Sequence, residues 1–172
     1  NRPVANQKGL HFHAFVAEDV PQTVIGDELR ITQIMNNLLS NALKHTKAED
    51  TISINVSQED KYVIIEIKDT GTGIAAAEID KIFDRFYQAG NNSSGISQPS
   101  TGIGLSLTKS IIGLHHGKIQ VESTPGYGSI FIVHLPKGRS HFKEGECQFV
   151  QPEKEMIRNE ILPESLTQEI PE

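Results

Sequence analysis

The clearest pattern in the sequence is a helical repeat of apolar residues between Asp27 and about His45. Apolar residues recur there every three or four positions, the spacing of one face of an α-helix. That face consists of Ile31, Ile34, Met35, Leu38, Leu39 and Ala42. Asp27 is of a residue type favoured at helix N-caps. A second repeat predicts a helix from Gly104 to about His116, with Gly117 as its C-cap residue.

Short segments in which apolar and polar residues alternate predict strands around these helices. We expect them to pair as three hairpins, namely 10–16 with 22–25, 51–57 with 62–68, and 119–123 with 129–135. A short helical stretch is predicted through Ile79 and Phe83. This order of elements predicts an α+β fold, a two-layer sandwich whose mixed, mainly antiparallel sheet carries its helices on one face.

Two segments lack any periodic pattern. Residues 89–100 are rich in Asn, Ser and Gly and contain almost no large apolar side chain, so we expect a mobile loop there. After Pro136 the composition shifts towards Glu and Pro without a sustained repeat. We therefore predict one folded domain, 1–138, followed by an acidic linker or tail, 139–172, that leads towards a further domain.

The composition narrows the classes of function. With 172 residues, of which 37% are hydrophobic, the chain can form one packed core. A net charge of −6 argues against nucleic-acid binding, which calls for a basic surface. The lone cysteine, Cys147, excludes an intramolecular disulfide. Because no apolar run is long enough to cross a membrane, we expect a cytoplasmic protein, whose longer parent is compatible with an anchor in the inner membrane.

A polar stripe runs along the first predicted helix, beside its apolar face. Its members fall within a narrow sector of the helical wheel and are Arg30, Gln33, Asn37, Asn41 and Lys44. Asn is a mediocre helix former, so two Asn one turn apart suggest a task other than solvation. Amide oxygens suit a hard cation, and the Lys44 ammonium suits a phosphate. An ordinary solvated face remains the alternative for the stripe alone.

Two glycine pairs lie where a ligand can approach the backbone. The first is in the turn Asp69–Ile74, directly after a predicted strand, where a carboxylate can accept a hydrogen bond from the exocyclic amine of adenine. The second pair, Gly102 and Gly104, opens the second predicted helix, whose first N–H groups and dipole favour an anion such as a triphosphate. The first motif by itself is more often a tight loop than a binding site, and the second is equally unconvincing alone.

Taken in order, four motifs resemble those of the catalytic ATP-binding domain of sensor histidine kinases. They are the N box at 36–46, the G1 box at 69–74, the F box at 82–88 and the G2 box at 101–105. The resemblance extends from about Pro3 to Pro136. It implies the Bergerat ATP-binding sandwich that the family shares with DNA gyrase B, the Hsp90 chaperones and the mismatch-repair protein MutL. The implied activity is that of a histidine protein kinase using ATP and Mg²⁺.

The resemblance also implies roles for polar residues at the phosphate end of the nucleotide. Asn41 is expected to coordinate Mg²⁺, while Asn37 and Lys44 reach phosphate groups. Arg85, from the F box, is the candidate for contact with the γ-phosphate. Asn41, Lys44 and Arg85 therefore form the implied catalytic set.

At the adenine end, the resemblance implies that Asp69 holds the amino group, with Ser129 taking part through a water. Further residues expected around the nucleotide are His45, Gly71, Gly73, Ile74, Thr101, Gly102, Ile103, Gly104 and Leu105. The sequence departs from the family pattern at Ser100, where the G2 box usually begins with a glycine. We expect this change to reduce the freedom of the preceding loop and to leave binding intact.

The implied phosphoacceptor is missing from the sequence. None of the seven histidines is followed by an acidic residue and then by Arg-Thr-Pro or a similar run. We therefore expect the phosphate to pass to a histidine on a dimerising helical hairpin elsewhere in the parent, and then to a receiver domain or response regulator. The chain itself is expected to be monomeric, and its parent to be a homodimer and a hybrid kinase.

Two alternatives accompany this interpretation. An ATPase of the gyrase, Hsp90 or MutL kind would need a Glu one turn before the magnesium-binding Asn, and Asn37 occupies that position. A catalytically silent module that senses nucleotide or binds a partner would have the same fold. The sequence makes the first alternative improbable and leaves the second open.

Overall fold

The computed structural model of the protein describes residues 2–21, 24–88 and 101–146. The chain divides into two compact units, Asn1–Phe142 and Lys143–Glu172. The described part of the second unit is a single turn. The predicted loop 89–100 and Cys147 lie outside the described residues, and the linker 139–172 remains a prediction. Within the described ranges, no helix is long and apolar enough to span a membrane.

Nine elements make up the first unit in its described part. In chain order they are α1 (Arg2–Gln7), β1 (His11–Val16), α2 (Glu28–His45), β2 (Thr51–Glu59), β3 (Tyr62–Asp69), α3 (Ala76–Ile79), α4 (Gly104–Leu114), β4 (Lys118–Thr124) and β5 (Gly128–Pro136). The strands form one sheet in the order β1-β2-β3-β5-β4. The pair β1–β2 is parallel and the other three pairs are antiparallel. The predicted α+β fold with a mixed, mainly antiparallel sheet is confirmed.

The predicted edge hairpin of 10–16 with 22–25 is not found among the described residues, outside which 22–23 lie. β1 instead pairs in parallel with β2, from His11 opposite Thr51 to Val16 opposite Val56, and Val24 and Ile25 belong to no strand. Parallel neighbours need a crossover connection, and here α2 provides it. The alternation of apolar and polar residues identified β1 as a strand, but such a pattern does not indicate with which strand β1 pairs. The short helix α1 was not predicted at all.

The core lies between the sheet and the pair α2 and α4. The side chains along β3 and β5 alternate between buried and half-buried, so one face of the sheet is closed against the helices. The largest fully buried apolar side chains are Ile34, Leu38, Ile52, Ile67, Ile112 and Val133. Burying one such side chain contributes about 1.5–3 kcal/mol, so these contacts fix the position of α2 and α4 on the sheet.

The start of α2 is joined to the end of α4 by His115. The Asp27 carboxylate caps α2 by accepting from the Arg30 N–H at 3.0 Å, as its position predicted. The Asp27 N–H donates to His115 Nε2 at 3.1 Å, and His115 Nδ1 lies 2.9 Å from the Ile111 carbonyl. Because Nε2 accepts, Nδ1 carries the ring proton and donates to that carbonyl. The buried imidazole thus bridges the two helices.

The end of α4 differs from the prediction. The helix stops at Leu114, and His116, not Gly117, takes the left-handed conformation, with φ of 54°. The Gly117 N–H donates to the Ile112 carbonyl at 2.9 Å, which completes a Schellman motif with histidine in the usual place of glycine. Gly117 has a different reason to be glycine, because a Cβ there would lie 2.5 Å from the His134 carbonyl oxygen of β5.

Candidate functional site

The polar side of α2 meets the N-terminal half of α4 through Asn37. Its side-chain amide donates to the Gly104 carbonyl at 3.3 Å and to the Thr108 hydroxyl at 3.2 Å. Asn41, one turn further along the same face, and Lys44, in the last turn of α2, are both half-buried. The fold therefore brings the N box against the G2 box, although Asn37 and Gly104 are 67 residues apart in the chain.

The predicted polar stripe on α2 is divided in two. Arg30 donates to the Gln33 side chain at 3.0 Å, and this pair lies in an exposed position. The first half of the stripe is thus a solvated helix face, the ordinary alternative for such a pattern. The second half, from Asn37 onwards, is the part that meets another element.

The first turn of α4 lacks a side-chain cap among the described residues. Ile103 occupies the N-cap position and offers no side-chain acceptor, so no side chain caps this helix within the described ranges. The first N–H groups of a helix lack internal partners and, with the helix dipole, favour a negative charge. Of the other predicted residues here, Thr101 and Gly104 are exposed, and Leu105 is half-buried.

Asp69 lies at the end of β3 and is only 4% exposed. Its Oδ1 accepts from the Gly71 N–H at 2.9 Å, and the Ser129 backbone N–H also donates to the carboxylate. Ser129 is the direct partner of Asp69 across β3 and β5. The two residues predicted to serve the adenine end are therefore adjacent, and the carboxylate is held by backbone groups.

Burial raises the pKa of the Asp69 carboxyl above its ordinary range, and the negative charge of nearby Asp50 raises this pKa further. The hydrogen bonds from Gly71 and Ser129 lower the pKa, but they cancel only part of this increase. A buried carboxylate without a cationic partner is costly, and a ligand that donates a hydrogen bond to it recovers part of that cost. The environment of Asp69 thus favours a neutral donor such as an amine of a flat heterocycle.

The raised pKa of Asp69 makes a prediction for stability. The folded state binds a proton at a higher pH than the unfolded state, so the Asp69 contribution to the free energy of unfolding rises as pH falls through the raised pKa. It levels off below the ordinary pKa of about 3.9. We expect the free energy of unfolding of the wild type, minus that of Asp69→Asn, to increase over this window in urea titrations. A difference that shrinks on acidification would contradict the assignment.

Ser123, which the sequence did not single out, organises the turn beside Asp69. Its hydroxyl accepts from the Ile74 N–H at 2.8 Å, donates to the Gly128 carbonyl at 2.8 Å and lies 3.0 Å from the Ser129 hydroxyl. The G1 turn is in this way tied to the hairpin of β4 and β5. Nothing in the sequence distinguishes a serine with this role from any other serine near the end of a strand.

The G1 turn also packs against the end of α2. The His45 carbonyl accepts from the Thr72 N–H at 3.1 Å, and a Cβ on Gly71 would lie 2.2 Å from that oxygen. Glycine is therefore required for this approach. The His45 ring is close to Lys44 and Lys8, and partial shielding from water together with these two positive charges lowers its pKa.

The F box and the G2 box meet at a backbone junction. The Phe86 N–H donates to the Gly102 carbonyl at 2.9 Å, and both residues have a positive φ, of 66° and 65°. A Cβ on Gly102 would lie 2.7 Å from the Phe86 backbone, so the junction needs glycine. Arg85, the candidate for the γ-phosphate, is exposed next to this junction. The residue predicted to contact the γ-phosphate therefore lies near the G2 box and is open to solvent.

A magnesium ion at this site would meet amide groups. The described residues contain no cluster of three or more His, Cys, Asp or Glu side chains that could hold a metal. In nucleotide sites, Mg²⁺ is held mainly by phosphate oxygens and water, with few protein ligands. The half-buried Asn41 amide, on the helix face that meets the open end of α4, fits such a ligand.

Comparison with known proteins agrees with this arrangement. The family model of histidine kinase-, DNA gyrase B- and HSP90-like ATPases matches residues 26–139. The chain is 39% identical over 134 residues to sensor histidine kinase RcsC of Escherichia coli strain K12, covering 78% of this chain and 14% of RcsC. It is 40% identical over 145 residues to sensor histidine kinase GacS of Pseudomonas protegens, covering 80% of this chain and 16% of GacS. The chain thus spans less than a fifth of either relative.

Solved structures give the same result. The catalytic domain of histidine kinase ThkA in a nucleotide-free form superposes with a TM-score of 0.67 at 28% identity, covering 79% of this chain and 86% of that domain. Full-length ShkA in complex with AMPPNP gives a TM-score of 0.69 at 29% identity, covering 78% of this chain and 27% of ShkA. The predicted resemblance to sensor histidine kinases is confirmed. The matched region contains α2 to β5, and the chain belongs to the histidine kinase-, DNA gyrase B- and HSP90-like ATPase family.

Proposed function

We propose that the domain binds Mg-ATP, with adenine at Asp69 and the phosphates at the N-terminus of α4. The observation that carries the proposal is that α2 lies between these two places. Its last turn supports the G1 turn through the His45 carbonyl, and its Asn37 amide contacts α4. One helix thus positions a buried acceptor suited to an amine and an uncapped helix N-terminus suited to a phosphate.

We further propose that the bound ATP donates its γ-phosphate to a histidine on a dimerising helical hairpin outside this chain. The unprotonated imidazole nitrogen attacks phosphorus in line, the bond to the bridging oxygen breaks, and ADP leaves. Mg²⁺, held by Asn41, would neutralise charge on the phosphate oxygens. Lys44 and Arg85 supply fixed positive charge, which together with positioning is most of what phosphoryl transfer requires.

The wider assembly follows from the same proposal. The relatives are several times longer than this chain, which agrees with a parent that carries further domains. The parent is proposed to be a homodimer and a hybrid kinase, in which the phosphate passes from histidine to a receiver domain or a response regulator. No nucleic acid takes part, in keeping with the net charge of −6.

Asn41→Ala tests the magnesium end of the site. Losing one ligand to the metal–phosphate group is expected to weaken Mg-ATP binding about 10- to 100-fold, measured by calorimetric titration of the chain. Phosphate transfer to a separately prepared phosphoacceptor hairpin of the parent should fall in parallel. Asn55→Ala is the matched control, because Asn55 bonds Glu66 on the far face of the sheet.

The outcomes separate the candidate functions. A wild-type chain that binds Mg-ATP and phosphorylates the hairpin supports the kinase. Binding without transfer would favour the catalytically silent sensing module. Transfer that persists in Asn41→Ala would refute the assignment of the magnesium ligand.

A further inference from the structure

Thr108 is a polar residue on the buried side of α4. Its side chain is wholly buried, at 0% exposure, beside the buried Ile111 and Ile112. A buried hydroxyl is costly unless it is hydrogen-bonded, and a β-branched polar residue has no advantage in the middle of a helix. The Asn37 side-chain amide donates to this hydroxyl at 3.2 Å. The position therefore serves a polar contact that a valine of the same shape could not make.

The Gly104 carbonyl fixes which way the Asn37 amide points. The Gly104 carbonyl can only accept, so the Asn37 atom 3.3 Å away must be the amide nitrogen. The same nitrogen reaches the Thr108 hydroxyl, so both N–H donors are directed at α4. The amide oxygen, on the other side of the planar group, is thereby turned away from these two acceptors.

We propose that Thr108 is a positioning residue for phosphate-end binding: its hydroxyl is the second acceptor of the Asn37 amide nitrogen and, together with the Gly104 carbonyl that sets the direction of the amide, holds the amide oxygen beside Asn41. The proposal rests on the proposed function, in which Mg²⁺ and its bound water lie beside these amides. A cation and its water ligands require acceptors. Among the described residues, loss of the Thr108 hydroxyl leaves the Asn37 amide nitrogen with its 3.3 Å hydrogen bond to the Gly104 carbonyl.

The test compares Thr108→Val, which keeps the shape and removes the hydroxyl, with Thr108→Ser, which keeps the hydroxyl. Mg-ATP affinity of the whole chain should fall about 3- to 10-fold in the valine variant, as expected for one lost hydrogen bond, and return to within about twofold of wild type in the serine variant. The Mg²⁺ concentration for half-maximal ATP binding should rise in the valine variant alone. Binding of adenosine without metal should be the same in all three proteins.

A double-mutant cycle completes the test. In an Asn37→Ala background, Thr108→Val should cause no further loss of Mg-ATP affinity, because the group that it orients is gone. A further loss there, or an equal loss of adenosine affinity, would show a general packing effect and overturn the proposal. Unchanged Mg-ATP affinity in Thr108→Val would overturn it as well. If the wild-type chain does not bind Mg-ATP, it is the proposed function that fails.

Discussion

Asp69→Asn is expected to weaken ATP binding at least about 100-fold. A hydrogen bond to a charged group contributes about 1.5–3 kcal/mol, and a donor left unpaired in a buried site costs about 1–3 kcal/mol more. Asn offers one oxygen where the carboxylate offers two. With Gly71 and Ser129 both donating to this side chain, the Asn amide nitrogen would face either a backbone N–H or the adenine amine. About 3 kcal/mol corresponds to a loss in affinity of roughly 150-fold.

The measurement is calorimetric titration with Mg-ATP and Mg-GTP. In the wild type we expect a clear preference for ATP, because guanine carries a carbonyl oxygen where adenine carries its amine. In Asp69→Asn this preference should largely disappear. Asp60→Asn is the control, since Asp60 is an exposed turn residue, with φ of 40°, at the opposite end of β3. ATP affinity of Asp69→Asn within threefold of wild type would place the adenine elsewhere.

Gly73→Ala is expected to destabilise the domain by about 3 kcal/mol or more. Gly73 has φ of 67°, and a Cβ there would lie 2.1 Å from the Thr124 carbonyl oxygen, which is backbone and cannot move aside on its own. The left-handed conformation costs a non-glycine residue about 1–2 kcal/mol, and overpacking adds about 1–3 kcal/mol. The Gly126 N–H also donates to the Thr72 carbonyl at 2.8 Å, so a shift of the turn would strain this bond.

Two matched glycine variants separate the contributions in urea unfolding. Gly126→Ala has a positive φ of 80° but open space around the added methyl, so it should cost only about 1–2 kcal/mol. Gly113→Ala lies in α4 with nothing nearby, so it should stabilise by about 0.5–1 kcal/mol. If Gly73→Ala lowered the free energy of unfolding no more than Gly126→Ala does, the close approach to Thr124 would not contribute to the destabilisation.

Local patterns in the sequence were sufficient for most of the elements. The apolar repeat and the Asp27 cap located α2, because a helix is built from neighbours three and four residues apart. The hairpins β2–β3 and β4–β5 followed from alternation and short turns. The partner of β1 could not be predicted from local patterns. β1 pairs in parallel with β2 through a crossover that includes α2, and no local pattern encodes such a crossover. The conformation of His116 was missed because glycine is the usual residue at that position.

For the candidate site, the sequence indicated the charged and flexible residues but not those that hold them. Asp69 and Gly71 were found because a carboxylate and glycines are conspicuous after a strand. Ser123 and Thr108 were missed, since the sequence does not distinguish a hydroxyl near a strand end or on a buried helix face from a residue without a specific role. Their polarity has meaning only once the fold places Ile74 or Asn37 opposite them.

The direct pairing of Asp69 with Ser129 means that the two ends of the candidate site differ in how they can open. Asp69 belongs to the central strand pair, and amides of such strands open only with the global free energy of unfolding. The contact of Asn37 with α4 consists of two side-chain hydrogen bonds, which open at a small fraction of that free energy. A ligand spanning both ends would therefore be anchored on the part of the site that opens less readily and would order the part that opens more readily.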